Sequence, residues 1–147
     1  ISSYLVVLLL IQIIYGAFVA GLDAGKIYNT WPKMNDKWVA ESVYAITPVW
    51  KNFTEGLAGI QFVHRTLAFI ILFLVAYFYT SAKKINLNKK DMYAVNTVSI
   101  IVLLQIFFGI LALINSVPIW LGSVHQILAF ILLASSVYCI FIFKKTV

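Results

Sequence analysis

The chain has 147 residues, of which 63% are apolar and only 11% are charged. A soluble domain of this size carries about 25% charged residues, so the composition excludes a water-facing surface and favours lipid as the solvent. The net charge of +6 does not indicate a nucleic-acid partner, because the lysines cluster beside apolar segments, which is the pattern of membrane topology.

The predicted elements are four transmembrane helices, near residues 2–22, 57–81, 93–114 and 119–143. A span needs about 20 apolar residues. Residues 92–143 carry no charge but are too long for one crossing, and Pro118 breaks them because proline lacks a backbone donor. The sequence therefore predicts an all-α membrane protein, a four-transmembrane-helix bundle in one domain over residues 1–147. Because the chain begins at Ile1 rather than Met, we expect it to be part of a longer protein.

The connecting loops predict the orientation in the membrane. Basic residues crowd the second loop and follow the fourth span: Lys83, Lys84, Lys89, Lys90, Lys144 and Lys145. These ends, and with them both termini, are expected on the cytoplasmic or matrix side. The first loop, residues 23–55, mixes four lysines with four acids, and we expect it outside together with the uncharged third loop. All four tryptophans lie in these outer segments, where they form an interfacial belt or pack the core of the loop.

An internal repeat relates the two halves of the chain. Residues 63–72 read VHRTLAFIIL and residues 124–133 read VHQILAFILL, so seven of ten positions are identical. The first and third spans share a glutamine four residues before a glycine: Gln12 and Gly16, and Gln105 and Gly109. The repeating unit is therefore a helical hairpin used twice, with a longer outer loop in the first copy.

The chain contains two histidines, His64 and His125, at matching places in the repeat. Each lies about six or seven residues inside its span, which at 1.5 Å per residue is roughly 10 Å from the outer end. Alternate helices of a four-helix bundle lie diagonally across its core, so the two imidazoles can take both axial positions of one heme iron. A lone membrane histidine more often makes an interhelical hydrogen bond or relays protons. Zinc is disfavoured because it needs three or four ligands, and Cys139 is the single cysteine.

Other residues near this depth are candidates for the same site. Gly16 and Gly109 could leave room for a macrocycle, although close helix packing is the favoured explanation of such glycines. Arg65 is the one charge inside a span, and it needs a route to the interface, a heme propionate or Asp23 as a partner. Gln61, one turn before His64, could bond the imidazole or line the pocket. Gln12 and Gln105 are expected to bridge helices, and Cys139 to fill space.

Four segments carry a family resemblance: GAFVAGLDAG at 16–25, YNTWPKM at 28–34, NFTE at 52–55 and QFVHR at 61–65. They resemble the corresponding segments of the heme A synthase family, and His125-Gln126 matches its second histidine. The resemblance covers essentially the whole chain and looks closest to the alphaproteobacterial and mitochondrial type. One departure is Gly56, where the family often has asparagine.

The resemblance implies a function for the chain. Full-length members are two four-helix bundles in tandem, and this chain resembles the second, with Gln61 where the first bundle has glutamate. It implies that His64 and His125 ligate heme b, and that electrons leave through this heme as the whole enzyme oxidises the methyl group of heme O to the formyl group of heme A. It also implies two partners, the N-terminal bundle of the same protein and heme O synthase. The implied location is the bacterial or mitochondrial inner membrane, and the fragment alone is expected to be inactive.

Two other classes of function remain open from the sequence. One is a stand-alone membrane electron carrier of the b-type cytochrome class, which in its di-heme form needs four histidine ligands where this chain has two. The other is a non-redox assembly or transport subunit, against which the lack of a charged pathway beyond Arg65 counts. The sequence leaves the oligomeric state undetermined.

Overall fold

The computed structural model describes residues 2–85 and 87–145. Four long helices make up most of this chain: α1 (Ser2–Gly21), α2 (Leu57–Lys84), α3 (Lys89–Ile114) and α4 (Ile119–Lys145). All four are long and apolar enough to cross a membrane. In the described part, β structure is limited to one isolated bridge between Met34 and Lys37. The predicted all-α fold with four spans is confirmed, and the chain is a multi-pass membrane protein.

The helix boundaries differ from the prediction mainly at the lysine-rich second loop. Helix α2 continues three residues further, to Lys84, and α3 begins four residues earlier, at Lys89. Lysines do not end a membrane helix here because their long side chains can reach water from the last turn. Asn88 caps α3, since its side chain accepts a hydrogen bond from the Asp91 backbone N–H at 3.0 Å. The side chains of Lys144 and Lys145 lie outside the described residues.

The break between α3 and α4 falls at the predicted place and uses an unusual backbone conformation. Ser116 and Val117 have φ values of 59° and 56°, in the left-handed region that β-branched residues seldom adopt. The Val117 backbone N–H donates to the Ala112 carbonyl at 2.7 Å, which closes the end of α3. Pro118 then precedes the first residue of α4.

The helices form a closed ring in chain order. Each packs against its sequence neighbours, and α1 also packs against α4, so α2 and α4 face each other diagonally. The apolar core fills the half of the bundle nearer the second loop, and its members include Leu9, Val75, Val98, Leu132 and Cys139. Cys139 is therefore part of the packed core, as predicted. The half nearer the first loop holds the polar side chains described below.

The first loop packs onto the start of α2 around Asn52. This residue is fully buried, and its side chain accepts from the Ile46 backbone N–H at 2.8 Å and donates to the Ile46 and Val49 carbonyls. Gly56 and Gly59 lie directly beneath it. A Cβ atom on Gly59 would come within 2.1 Å of the Asn52 carbonyl oxygen, so only glycine permits this approach. The glycine at position 56 also fits, because a Cβ atom there would lie 2.8 Å from the same oxygen.

The tryptophans fall into two groups by their surroundings. Trp31 stacks on Phe69 of α2, with ring centroids 5.2 Å apart, and so joins the loop to the bundle. The other three are each more than 60% exposed: Trp38, Trp50 and Trp120. Exposed indole rings at this end of the bundle are suited to a membrane interface.

Candidate functional site

His64 and His125 face each other inside the bundle. His64 is the eighth residue of α2 and His125 the seventh of α4, so the two diagonal helices present them at the same level. Their ring centroids are 6.5 Å apart, and the ring planes are inclined by 71°. Two imidazoles bound to opposite sides of one metal have centroids roughly 6 Å apart, because each metal–nitrogen bond is about 2 Å long. The structure therefore brings together the two predicted ligands.

Each imidazole lies against a glycine of the neighbouring helix. A Cβ atom on Gly16 would come within 3.3 Å of His64 Cε1, and one on Gly109 within 2.8 Å of His125 Cε1. Each glycine lies five residues before the last residue of its helix, α1 or α3, and both of these helix ends are on the side of the bundle that carries the first loop. Their missing side chains create the space that the imidazole rings use. Gly21, by contrast, has no atom within 4 Å of its Cβ position.

Gln12 and Gln105 also reach the histidines. The Gln12 amide nitrogen lies 3.4 Å from His64 Nε2 and donates to the His64 carbonyl at 3.1 Å. The Gln105 amide nitrogen lies 3.3 Å from His125 Nε2. The prediction that these glutamines bridge helices is confirmed, and in both cases the bridge ends on a histidine. Glutamine, glycine and histidine thus form the same group in each hairpin.

Several polar atoms of these groups are buried without a hydrogen-bond partner in the described part of the chain. They are His64 Nδ1, His125 Nδ1, Gln12 Oε1 and Gln105 Oε1. A buried polar atom without a partner costs free energy, so a repeated set of them indicates a site for a ligand. Two facing histidines with buried, unpaired ring nitrogens are a donor set that fits a heme iron.

The Arg65 guanidinium reaches the first loop. It donates to three backbone carbonyls, those of Tyr28 at 2.7 Å, Thr30 at 3.0 Å and Lys33 at 3.2 Å. The side chain thereby reaches the loop end of the bundle, where the loop buries it. Asp23, one of its predicted partners, instead pairs with Lys26 at 2.7 Å. That expectation was wrong, because Asp23 belongs to a short turn whose own lysine is nearer.

Gln61 supports the loop rather than the imidazole. Its amide nitrogen donates to the Tyr28 carbonyl at 3.1 Å, the same oxygen that Arg65 contacts. Among the described residues, the structure shows no hydrogen bond from Gln61 to His64. The Gln61 Oε1 atom is buried and unpaired, which leaves the predicted lining role untested.

The sequence did not reveal the roles of four side chains that shape this region. It did not assign Gln12 and Gln105 to the histidines, although the repeated glutamine–glycine spacing was the available signal. It did not foresee Asn29, whose amide donates to the Gly25 carbonyl and, at 2.8 Å, to the Leu113 carbonyl of α3. Nor did it identify Asn52 as the centre of the loop, because a single asparagine in a loop carries no such information.

Comparisons with known proteins place the chain among assembly factors of a respiratory enzyme. The COX15-CtaA family, described as cytochrome oxidase assembly protein, matches residues 1–137. A Flavobacterium psychrophilum protein named heme A synthase is 44% identical over 94% of this chain and 41% of its own length. A protein of the same name from Wolbachia pipientis is 40% identical over 96% of this chain and 38% of its own length. Another from Bartonella quintana is 38% identical over 92% of this chain and 38% of its own length. The chain thus spans about two fifths of these relatives, and no solved structure gave a significant match.

Proposed function

The chain belongs to the COX15-CtaA family of cytochrome oxidase assembly proteins, the heme A synthase family, and from that membership we propose that it is the heme b-binding bundle of a heme A synthase. In this proposal the four helices form one unit of a longer protein. The remaining three fifths of the relatives' length leaves room for a second bundle, which would be the partner within the same chain. The whole enzyme would oxidise the methyl group of heme O to the formyl group of heme A.

The observation that carries the proposal is the pair of imidazoles facing each other from diagonal helices, 6.5 Å apart. His64 and His125 would hold the heme iron, and Gly16 and Gly109 would make room for their imidazole rings. When bound, heme b supplies reversible one-electron transfer between ferrous and ferric iron. The apolar core on one side and the first loop on the other limit access of water to the ring nitrogens.

Arg65 supplies a fixed positive charge at the loop side of the site. It is only 8% exposed, and none of the salt bridges among the described residues involves it. A buried cation without a counter-ion is costly, whereas a propionate would neutralise it through charge-assisted hydrogen bonds. We therefore assign the propionate edge of heme b to Arg65, with Gln61 beside it lining the pocket.

Orientation and location follow from the same proposal. The exposed lysines at the second loop, Lys83, Lys84, Lys89 and Lys90, would face the cytoplasm or matrix, and the first loop the opposite side. The membrane would be the bacterial or mitochondrial inner membrane. Substrate chemistry would take place in the absent bundle, so this chain would accept electrons but would not turn over alone. Heme O synthase, which makes the substrate, is the proposed external partner.

The test is a heme analysis of the full-length protein and of its His64→Ala and His125→Ala variants. We expect each substitution to abolish the low-spin b-type signal in the reduced-minus-oxidised spectrum that this bundle contributes. Helix content measured by circular dichroism controls for folding. An unchanged spectrum in both variants would contradict the ligand assignment. Pyridine hemochrome analysis giving two hemes b in this bundle would instead favour a di-heme electron carrier, and no heme after reconstitution would favour a non-redox subunit.

A further inference from the structure

We propose that the first loop lies within the phospholipid headgroup layer of the membrane. In this arrangement the indole rings of Trp38 and Trp50 sit among the headgroups, and the ammonium groups of Lys33 and Lys51 bind lipid phosphates. The inference is independent of the proposed function, because it concerns the surface of the loop and not the histidine pair. It rests on the place of the loop beside α2, on its exposed apolar side chains and on two lysine–tryptophan pairs.

The depth of the loop follows from the length of α2. This helix has 28 residues, so at 1.5 Å per residue it is about 42 Å long. A bilayer measures about 40–45 Å with its headgroups and about 30 Å without them, so each headgroup layer is roughly 5–8 Å deep and the first turns of α2 lie in it. The loop packs beside these turns, because Ala58 and Phe62 of α2 pack with Met34, Ala40 and Val43 of the loop. The loop is therefore at the depth of the headgroups.

The outer side chains of the loop are too apolar for a segment surrounded by water. Trp38 and Trp50 are 63% and 61% exposed, and Tyr44 and Val49 are 54% and 55% exposed. Large exposed apolar side chains that cluster on a small surface mark a protein or membrane contact. Tryptophan and tyrosine favour the headgroup depth, because their rings are apolar and their N–H or O–H groups are polar. Trp120, the second residue of α4, is 64% exposed at the same end of the bundle and marks the same depth on the diagonal helix.

A lysine lies over each of the two exposed indoles of the loop. Lys33 Nζ is 5.8 Å from the centroid of the Trp38 ring, and Lys51 Nζ is 5.9 Å from that of Trp50. The ring attracts the cation through its quadrupole but supplies no counter-ion, so each ammonium group can still bind an anion. Phosphate is the anion that every phospholipid headgroup presents at this depth. An indole and an ammonium group side by side therefore match the two parts of a headgroup layer, its apolar boundary and its phosphates.

The salt bridges of the loop distinguish these two lysines from the others. Lys51 lies 3.8 Å from Glu55, at the limit of an ion pair, and Lys33 is in none of the salt bridges among the described residues. The loop contains four lysines and four acids, so its overall charge does not attract an anionic surface and the attraction must be local. The other two lysines are paired with carboxylates, in Lys26–Asp23 and Lys37–Glu41. We therefore expect Lys33 to bind phosphate more strongly than Lys51.

The first experiment measures the depth of the indoles in the full-length protein. Nanodiscs are made from phosphatidylcholine that carries bromine either near the headgroup or near the end of the acyl chain, because bromine quenches tryptophan fluorescence on contact. The difference between the wild type and Trp38→Phe or Trp50→Phe gives the emission of each indole. We expect both to lose more emission with the shallow bromine than with the deep one. Trp31→Phe is the control, because Trp31 stacks on Phe69 of α2 and its emission should be quenched less.

The second experiment tests the lysines by hydrogen exchange of the first loop, in phosphatidylcholine nanodiscs and in a maltoside detergent, which contains no phosphate. Lys33→Gln should speed exchange in nanodiscs roughly twofold to fivefold, the effect of one exposed charge pair, and leave it unchanged in detergent. Lys51→Gln should have a smaller effect of the same kind. Lys37→Gln is the matched control, because it removes the same charge from an ion pair within the loop and should act equally in both media.

Stronger quenching by the shallow bromine, together with an effect of Lys33→Gln that appears only in nanodiscs, would support the proposal. Indoles that neither bromine quenches would overturn it: quenching by iodide would then place them in water, and protection from iodide would show that a protein partner covers them. Stronger quenching by the deep bromine would contradict the headgroup depth. Exchange in nanodiscs that is the same in Lys33→Gln as in the wild type would refute the phosphate contact. If a tryptophan variant fails to fold, the lysine variants test the same surface by themselves.

Discussion

The first hairpin, α1 with α2, and the second hairpin, α3 with α4, place the same types of side chain around the bundle axis. Each contributes a glutamine, a glycine and a histidine, and the rings meet across the centre. The hairpins differ in what covers these groups. The first has a loop of more than thirty residues tied down by Arg65, whereas the second turns within four residues at positions 115–118. Both copies of the repeat thus keep the glutamine, the glycine and the histidine, whereas only the first copy has a long loop packed over them.

Aligning the hairpins on their histidines locates this difference at individual positions. Arg65 corresponds to Gln126, which is exposed, and Gly59 corresponds to Trp120, which is 64% exposed. Both first-hairpin residues contact the loop, and neither counterpart has a loop to contact. The comparison indicates that the residues next to the histidines diverged because a long loop packs on one hairpin only.

Among the substitutions that test the difference between the hairpins, Gly59→Ala is expected to have the largest effect on stability. The added Cβ atom would lie 2.1 Å from the Asn52 carbonyl oxygen, a backbone atom that cannot rotate away. We expect a loss of about 3 kcal/mol in the free energy of unfolding, the upper part of the range for overpacking. Thermal unfolding in detergent measures it. The control is Gly122→Ala in the second hairpin, where the nearest atom is 4.0 Å away, and an equal loss there would show that the loop is not the cause.

The substitution Arg65→Gln gives the first hairpin the residue type that the second hairpin has at the corresponding position. The substitution removes charge-assisted hydrogen bonds to the Tyr28, Thr30 and Lys33 carbonyls. We expect a cost of about 2 kcal/mol, because such bonds contribute more than neutral ones and a glutamine can replace only one of them. Limited proteolysis should cut the first loop faster than in the wild type. If the loop is cleaved at the wild-type rate, Arg65 does not hold the first loop against the bundle.

Alanine at the two inner glycines tests whether the hairpins are equivalent at the site. Gly109→Ala brings Cβ within 2.8 Å of His125 Cε1, whereas Gly16→Ala leaves 3.3 Å to His64 Cε1. We expect Gly109→Ala to cost about 1 kcal/mol net, since overpacking outweighs the gain in helix propensity, and to lower heme content more than Gly16→Ala does. Gly21→Ala, with nothing within 4 Å, should leave heme content unchanged. Equal losses from all three would point to a general effect on helix packing.

The smallest expected effect belongs to the ion pair between Lys37 and Glu41 in the loop. The hydrogen bond between the two side chains is the main reason that the pKa of Glu41 lies below 4.5 and that of Lys37 above 10.5, and the attraction between their charges is the second. The contribution of Glu41 to stability is thus present above pH 4.5 and disappears as the pH falls through its lowered pKa. Glu41→Gln should reduce the unfolding temperature slightly at pH 7 and not at all at pH 2, because the pair is exposed and screened. A larger loss than that of Arg65→Gln would show that the surface ion pair, rather than the buried guanidinium, secures the loop.

The bundle was predictable in outline because lipid imposes simple requirements on a sequence. Each crossing must be long and apolar, so the four helices and the break at Pro118 followed from the positions of the charges. The helix ends at the second loop were misplaced by three or four residues because lysine side chains can extend to water from within a helix. The level of the two histidines followed from counting residues along these spans.

The sequence by itself determined the helices, their order and the matched depth of His64 and His125. Only the tertiary structure showed that Gln12 and Gln105 end on those rings, that Arg65 binds three loop carbonyls and that Asp23 does not reach it. The physical reason is that burial in lipid depends on the composition of each segment, which can be read along the chain. Hydrogen-bond partners depend on which helix faces meet and on where a long loop returns, and these are decided by packing among distant residues.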